Sequence, residues 1–337
     1  MKKFILCTLI MVLMNQVHAQ ETKGSIEFTQ TFYGNSGKYK TAASHPSIVF
    51  NYNFSPKLNA SLEWDRTWNM YNFKGEENQQ NNASSIPEVT INYNNGKIFD
   101  TDINWSSSLL IKNEDSFNDN NQLYTMIQTD LDFSNYIPKS DYVKATQFSF
   151  APLYIYGSNV QGPTGHSNTA GISLLTNWSL PANFSFTLNA YAFREWYQGS
   201  FIISNSNESF NNANYFMILA YLNYNTQLYK FNDQANLNFN FIGGFDPWIS
   251  SNKKAAWDPF LVGEEMYEWL SPTVMNGNYK KTYSLFALPQ INLSYQYDKF
   301  LSFSIFMQAK YSNQVWGDTE KNWRLQPQGG FNITYSF

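Results

Sequence analysis

Cysteine is nearly missing from this chain. The only one, Cys7, lies in an amino-terminal stretch that reads as a secretory signal: Lys2 and Lys3, an apolar run from Phe4 to Leu13 too short to span a bilayer, and a small-residue cleavage site at Val17-His18-Ala19. Residues 1–19 are expected to be removed and residues 20–337 to form the mature domain, which then has no thiol for disulfide or redox chemistry. Charge is scarce as well, at 14% of residues, against roughly 25% in soluble domains. The formal net charge of −4 becomes more negative once Lys2 and Lys3 are lost, which leaves nucleic acid no basic footprint to bind. Of the 3 histidines, His45 and His166 follow the signal; both are expected in external loops, neither beside a Ser or Asp pattern that would make a nucleophilic triad. No metal-ligand spacing and no phosphate-binding glycine loop occurs, so no enzyme activity, cofactor or metal is expected. No mature segment approaches the roughly 20 apolar residues of a transmembrane helix.

What the chain has in abundance is aromatics, 18% of residues, in a sequence whose mean hydropathy is nonetheless −0.43. Asn, Gln, Ser and Thr alternate with Phe, Tyr, Leu and Ile, a period of two that gives each strand one apolar and one wet face. An exported chain that must meet lipid without helices can do so only as a closed barrel. Alternation and punctuation predict strands near 25–34, 46–54, 57–71, 86–94, 98–111, 122–133, 142–157, 167–178, 183–197, 213–225, 234–246, 281–297, 300–312 and 323–337. The expected fold is therefore all-β, a closed antiparallel transmembrane barrel of about 14 strands, with about 16 as the competing count, short periplasmic turns and long outer loops. Tight connectors are placed at Ser55-Pro56, at Asn94 to Lys97, at Ser179 to Ala182 and at Asp298-Lys299.

The alternation also assigns faces. Odd positions from Ala235 to Phe241, and Leu301, Phe303, Ile305 and Met307, should face lipid, with aromatics such as Tyr52, Phe54, Tyr154, Tyr156, Trp178, Trp196, Tyr295 and Tyr297 forming interfacial girdles. Pro152, Pro289 and Pro327 interrupt strands and are expected at bulges or lost rungs near the outer rim. Glu27, Glu63, Asp65, Glu88, Asp100, Asp102, Asp130, Asp132 and Glu195 fall on the inner face against Lys112, Lys310 and Arg324, which predicts an acidic, cation-preferring lumen. Arg66 and Arg194 fall on the lipid parity near the outer boundary. They could meet headgroups or lipopolysaccharide phosphates, or a bulge could turn them inward to form a constriction.

Several segments, in order and spacing, resemble the FomA-like major porins of fusobacterial outer membranes: Lys23 to Phe28 leading to Phe32-Tyr33-Gly34, Leu131 to Ile137, Leu180 to Phe186, and Trp323 to Pro327 before the last strand. The resemblance implies a general-diffusion porin for small hydrophilic solutes, a trimer. The longer basic, proline-rich leader associated with that family is lacking. The ending Phe331, Ile333, Tyr335 and Phe337 is similar to the signal read by the barrel-assembly machinery. Two other readings remain open: a surface adhesin displaying Asn72 to Ser85, Gln198 to Asn212 and Asp246 to Lys280 with Trp248, Trp257 and Trp269, and a sugar or nucleoside channel lined by Tyr33, Tyr124, Tyr191, Tyr215 and Tyr221.

Overall fold

The computed structural model describes residues 23–34, 43–69, 84–115, 121–158, 165–202, 209–253, 280–313 and 323–337. Its strands are β1 (Gly24–Tyr33), β2 (Ala43–Asn53), β3 (Leu58–Asn69), β4 (Ser84–Lys97), β5 (Asn104–Asp115), β6 (Asn121–Asp132), β7 (Lys144–Ser158), β8 (His166–Ser179), β9 (Phe184–Ile202), β10 (Ser209–Lys230), β11 (Ala235–Ser251), β12 (Lys281–Gln296), β13 (Leu301–Ser312) and β14 (Arg324–Ser336). Each strand pairs with its sequence neighbours, and β14 returns to β1, so 14 strands close one antiparallel barrel. Among the described residues there is no further strand, and the count of 16 falls away.

The period-two pattern explains the two surfaces. Ile127, Ile305 and Met307 point outward and are 55%, 61% and 74% exposed, beside Leu62, Trp64, Ile91, Phe150, Phe303 and Leu325 around the circumference. A continuous apolar exterior of this kind is stable only in lipid, and closure leaves no unpaired edge there. Aromatic pairs mark the ends at the short turns: Tyr52 against Phe54 at 4.9 Å and Tyr229 against Phe231 at 4.8 Å between ring centres.

The seam is fixed by backbone and rings together. Phe337 accepts from the Gly24 N–H at 3.0 Å and donates to the Gly24 carbonyl at 3.0 Å, while its ring stacks with Phe50, Tyr52 and Tyr335. Glycine is required beneath that ring, because a Cβ at Gly24 would stand 2.8 Å from Phe337 and 2.6 Å from the Asn51 carbonyl.

Three expectations are corrected. The Asn94-Asn95-Gly96 punctuation is not the turn: the register shifts between Asn94 and Gly96, Gly96 has a φ of 94°, and its N–H is held by the Asn94 side chain at 2.9 Å. That is a bulge inside the hairpin, and the chain turns at residues 98–103, where Phe99 takes a positive φ of 47°. Second, Pro289 pairs opposite Phe241 in the middle of the wall, and neither Pro152, Pro289 nor Pro327 sits at a register shift. Of the two expected alternatives it is the lost rung that occurs: Pro152 and Pro289 coincide with missing rungs toward β6 and β13, as follows for a residue without an N–H. Third, β9 and β10 are 19 and 22 residues long, so most of Gln198 to Asn212 is wall rather than loop. Trp248 also belongs to a strand, β11, against Phe216 at 6.1 Å; Trp257 and Trp269 lie outside the described residues.

Overpacking at the seam should be measurable. Gly24→Val should lower barrel stability by about 1–3 kcal/mol, read as a lower temperature for conversion of the folded to the unfolded band in heat-modifiability gels. Gly329→Ala, where the added Cβ would meet only the Phe306 carbonyl at 3.4 Å, should leave that temperature unchanged.

Candidate functional site

The lumen is the concave surface on which side chains converge, and its wall divides into chemically different arcs. The first is charged. Glu63 on β3 stands directly opposite Glu88 on β4, and Glu88 opposite Lys112 on β5. Like charges facing each other across a ladder cost stability, and the Lys112 Nζ, 4.0 Å from Glu88, offsets part of that cost. Two residues above Glu63, Asp65 takes the His45 imidazole at 3.3 Å. His45 is therefore a lumen residue of β2, not a loop residue as expected from sequence; the strand begins at Ala43, ahead of the expected position 46. His166 opens β8 and lies 5.9 Å from the ring of Tyr156.

Glu27 also faces the lumen, accepting from Asn332 and, at 3.3 Å, from Thr29. Asp130 accepts from Gln147 at 3.4 Å, at the head of a chain in which Asn177 donates to Gln147 at 2.7 Å and Thr187 to Asn177 at 2.6 Å. Asp132 has a different task from the expected one. Its carboxylate accepts the backbone N–H groups of Ser134 at 2.8 Å and Phe148 at 3.1 Å, which caps the β6–β7 connector. Asp100 and Asp102 leave the lumen altogether, since both sit in the exposed short turn that the Gly96 bulge displaces; Asp102 pairs there with Lys97 at 2.6 Å.

The second arc is apolar, and charge patterning gave no warning of it. On the inner faces of β5 to β12, Leu110, Met126, Leu153, Ile155, Phe193, Met217, Leu219, Ile249 and Phe286 pack as one buried cluster with Tyr124, Tyr191, Tyr215 and Tyr221. These tyrosines are inward, as their parity predicts. Tyr221 and a further tyrosine of the cluster, Tyr197, hold carboxylates there: Tyr197 donates to Glu195 at 2.7 Å and lies 3.0 Å from the Tyr215 hydroxyl, and Tyr221 donates to Asp246 at 2.6 Å. Sequence placed Asp246 where the strand 234–246 ends and a loop begins; β11 extends to Ser251 and carries it inward. Lys310 is fully buried on β13, its ammonium 5.6 Å over the Phe286 ring. Arg324 begins β14 at its outer end, opposite Ser312.

Arg194 keeps its lipid parity. It projects outward from β9, donates to Asn212 at 3.0 Å and lies 5.4 Å from the Trp196 ring, so no bulge brings it into the lumen. Arg66 pairs opposite Ser85 in β3, and its side chain lies outside the described residues.

A third arc is neutral. Asn225, Asn240, Gln290, Gln308 and Gln328 line a cavity of about 540 Å³ together with Tyr33 and Thr31. Sequence showed the asparagines of β11 as a wet face; their partners could not be identified before the register was known. Among the described residues, no group of three or more His, Cys, Asp or Glu side chains is placed to hold a metal ion.

No family model and no curated protein matches the chain. Solved structures similar in outline include CdiB from Acinetobacter baumannii, with 13% identity and a TM-score of 0.45 over 95% of this chain and 61% of that one. Omp33, also from Acinetobacter baumannii, aligns at 7% identity and TM-score 0.36 over 95% and 100%. OmpF of Salmonella typhi, crystallised with daunomycin, aligns at 10% identity and TM-score 0.35 over 94% and 97%. These scores are too low to carry any detail across.

The placement of the acidic arc can be checked by labelling. With Glu63→Cys or Asp65→Cys, a membrane-impermeant thiol reagent should react from the aqueous side, and Trp64→Cys, at an outward position, should be protected in lipid. Reaction at 64 with protection at 63 and 65 would overturn the register of β3.

Proposed function

We propose that the chain is an outer-membrane porin that lets small hydrophilic solutes and ions pass passively down their gradients, with a modest preference for cations. The observation that carries this reading is the inner wall of β2 to β5, where Glu63, Asp65 and Glu88 are grouped against Lys112 and His45 inside a barrel whose outside is apolar. Opposed carboxylates weaken a wall, so their grouping is best accounted for by what they do to the lumen: a cluster of one sign raises the local concentration of oppositely charged ions. The chain works without a cofactor, a metal or energy coupling, and it is not an enzyme.

The protein resides in the bacterial outer membrane, delivered by the 1–19 signal. Its kinship is with the FomA-like porins, and it acts as a trimer, as that kinship implies. Phe331, Ile333, Tyr335 and Phe337, outward on the closing strand, serve also as the signal for the barrel-assembly machinery. Arg194, with Trp196, anchors the outer boundary to lipid headgroups or lipopolysaccharide phosphate.

In a planar bilayer with a salt gradient, the reversal potential should carry the cation sign. It should shrink as salt rises, because the Debye length is about 10 Å at 0.1 M. Glu63→Gln combined with Asp65→Asn should insert normally and lower the cation-to-anion permeability ratio toward one. Firm anion selectivity of the unaltered barrel would overturn the proposal, and so would a folded barrel that passes no current.

A further inference from the structure

The neutral arc is a single row. Asn225 of β10 is directly opposite Asn240 of β11, Asn240 opposite Gln290 of β12, Gln290 opposite Gln308 of β13, Gln308 opposite Gln328 of β14, and Gln328 opposite Tyr33 of β1. The amides form a one-way chain: Asn240 donates to Gln290 at 2.8 Å, Gln290 to Gln308 at 2.7 Å and Gln308 to Gln328 at 2.6 Å, with Asn225 donating to Asn240 at the start. All of these residues line the cavity of about 540 Å³, and none of its described lining residues is charged. That volume is within the roughly 300–1,000 Å³ usual for small-molecule sites.

We propose that this row is a binding track for uncharged polyhydroxylated solutes, of mono- to disaccharide size, on their way through the lumen. The proposal rests on the porin reading and names a class of solute for it. Each amide has two N–H groups and two acceptor lone pairs. A ladder bond uses one donor of one residue and one lone pair of the next, so Asn240, Gln290 and Gln308 each retain a donor and an acceptor side by side at the cavity. A hydroxyl is itself both donor and acceptor, and a run of vicinal hydroxyls matches such a row. An apolar solute would strip water from these amides without replacing its hydrogen bonds, and none of the cavity's described lining residues offers an ion a countercharge. Donors aligned head to tail also polarise one another, which strengthens the last members of the chain.

The test uses the full mature barrel in a planar bilayer, with sucrose as the probe and potassium gluconate as the charged, hydroxylated control. Sucrose should reduce the current saturably, beyond its effect on bulk conductivity. The half-blocking concentration should rise at least tenfold in Gln290→Leu/Gln308→Leu, each barrel being compared with its own sugar-free current. Calorimetry on the detergent-folded barrel should give the same order of sucrose affinity, and no comparable heat with gluconate. A current that follows bulk conductivity alone, equal block in the double variant, or gluconate acting as strongly as sucrose would each overturn the track. Conductance without sucrose block would sink the track and leave the porin reading standing; sucrose heat from a barrel that conducts nothing would do the reverse. If the double variant does not fold, the sucrose and gluconate measurements on the unaltered barrel decide the matter alone.

Discussion

Every feature of this molecule depends on one constraint, that a backbone crossing lipid must find all its hydrogen-bond partners within itself. Fourteen strands meet it by pairing β1 with β14, and the joint is narrow: Phe337 exchanges backbone hydrogen bonds with Gly24 while its ring covers the glycine. A ring there and a Cβ at position 24 exclude each other. The sequence pairs its least bulky residue with a terminal aromatic for that reason. Pro152 and Pro289 are tolerable in the same wall because each forfeits rungs toward only one neighbour while its own pairing is kept on the other.

Closure makes the two faces unequal in what they can express. Outside, apolar area dominates, with Arg194 held against Trp196 at an outward position. The inner face is free to vary, and it varies by sector: charged on β2 to β5, apolar on the inner faces of β5 to β12, neutral and amide-rich along the row from Asn225 of β10 to Tyr33 of β1. A carboxylate is tolerated differently in the first two. Glu88 is held beside Lys112, whereas Glu195 and Asp246 are buried and receive tyrosine hydroxyls, since a buried polar group must be hydrogen-bonded.

The fold was legible because a period of two needs no knowledge of neighbours: Ile305 and Met307 announce their face by alternating with Ser304 and Gln308. Three things could not be read that way. Gly96 has the composition of a turn and the geometry of a bulge, and only the pairing of β4 with β5 separates the two; misreading it put Asp100 and Asp102 in the lumen. Strand ends were read short where polar residues continue the wall, so His45 was assigned to a loop and Asp246 to the point where a strand gives way to one. The amide row consists of residues far apart in sequence, Asn225 to Gln328, and it exists only once five strands have taken their register.

The sectors also differ in stiffness, and this bears on how each can act. A glutamine side chain loses up to about 1.5–2 kcal/mol of rotamer freedom when fixed. In the amide row that loss occurs on folding, when Gln290 and Gln308 are tied to each other and to Asn240 and Gln328. A solute meeting the row finds donors and acceptors already placed, the condition under which weak polar contacts yield binding. Glu63 and Glu88 are under the opposite condition: mutual repulsion opposes a fixed geometry, and the pair acts through its field rather than through contact. A wall of one construction thus offers a passing solute contact on one side and potential on the other, and which of the two it feels is set by whether it carries charge.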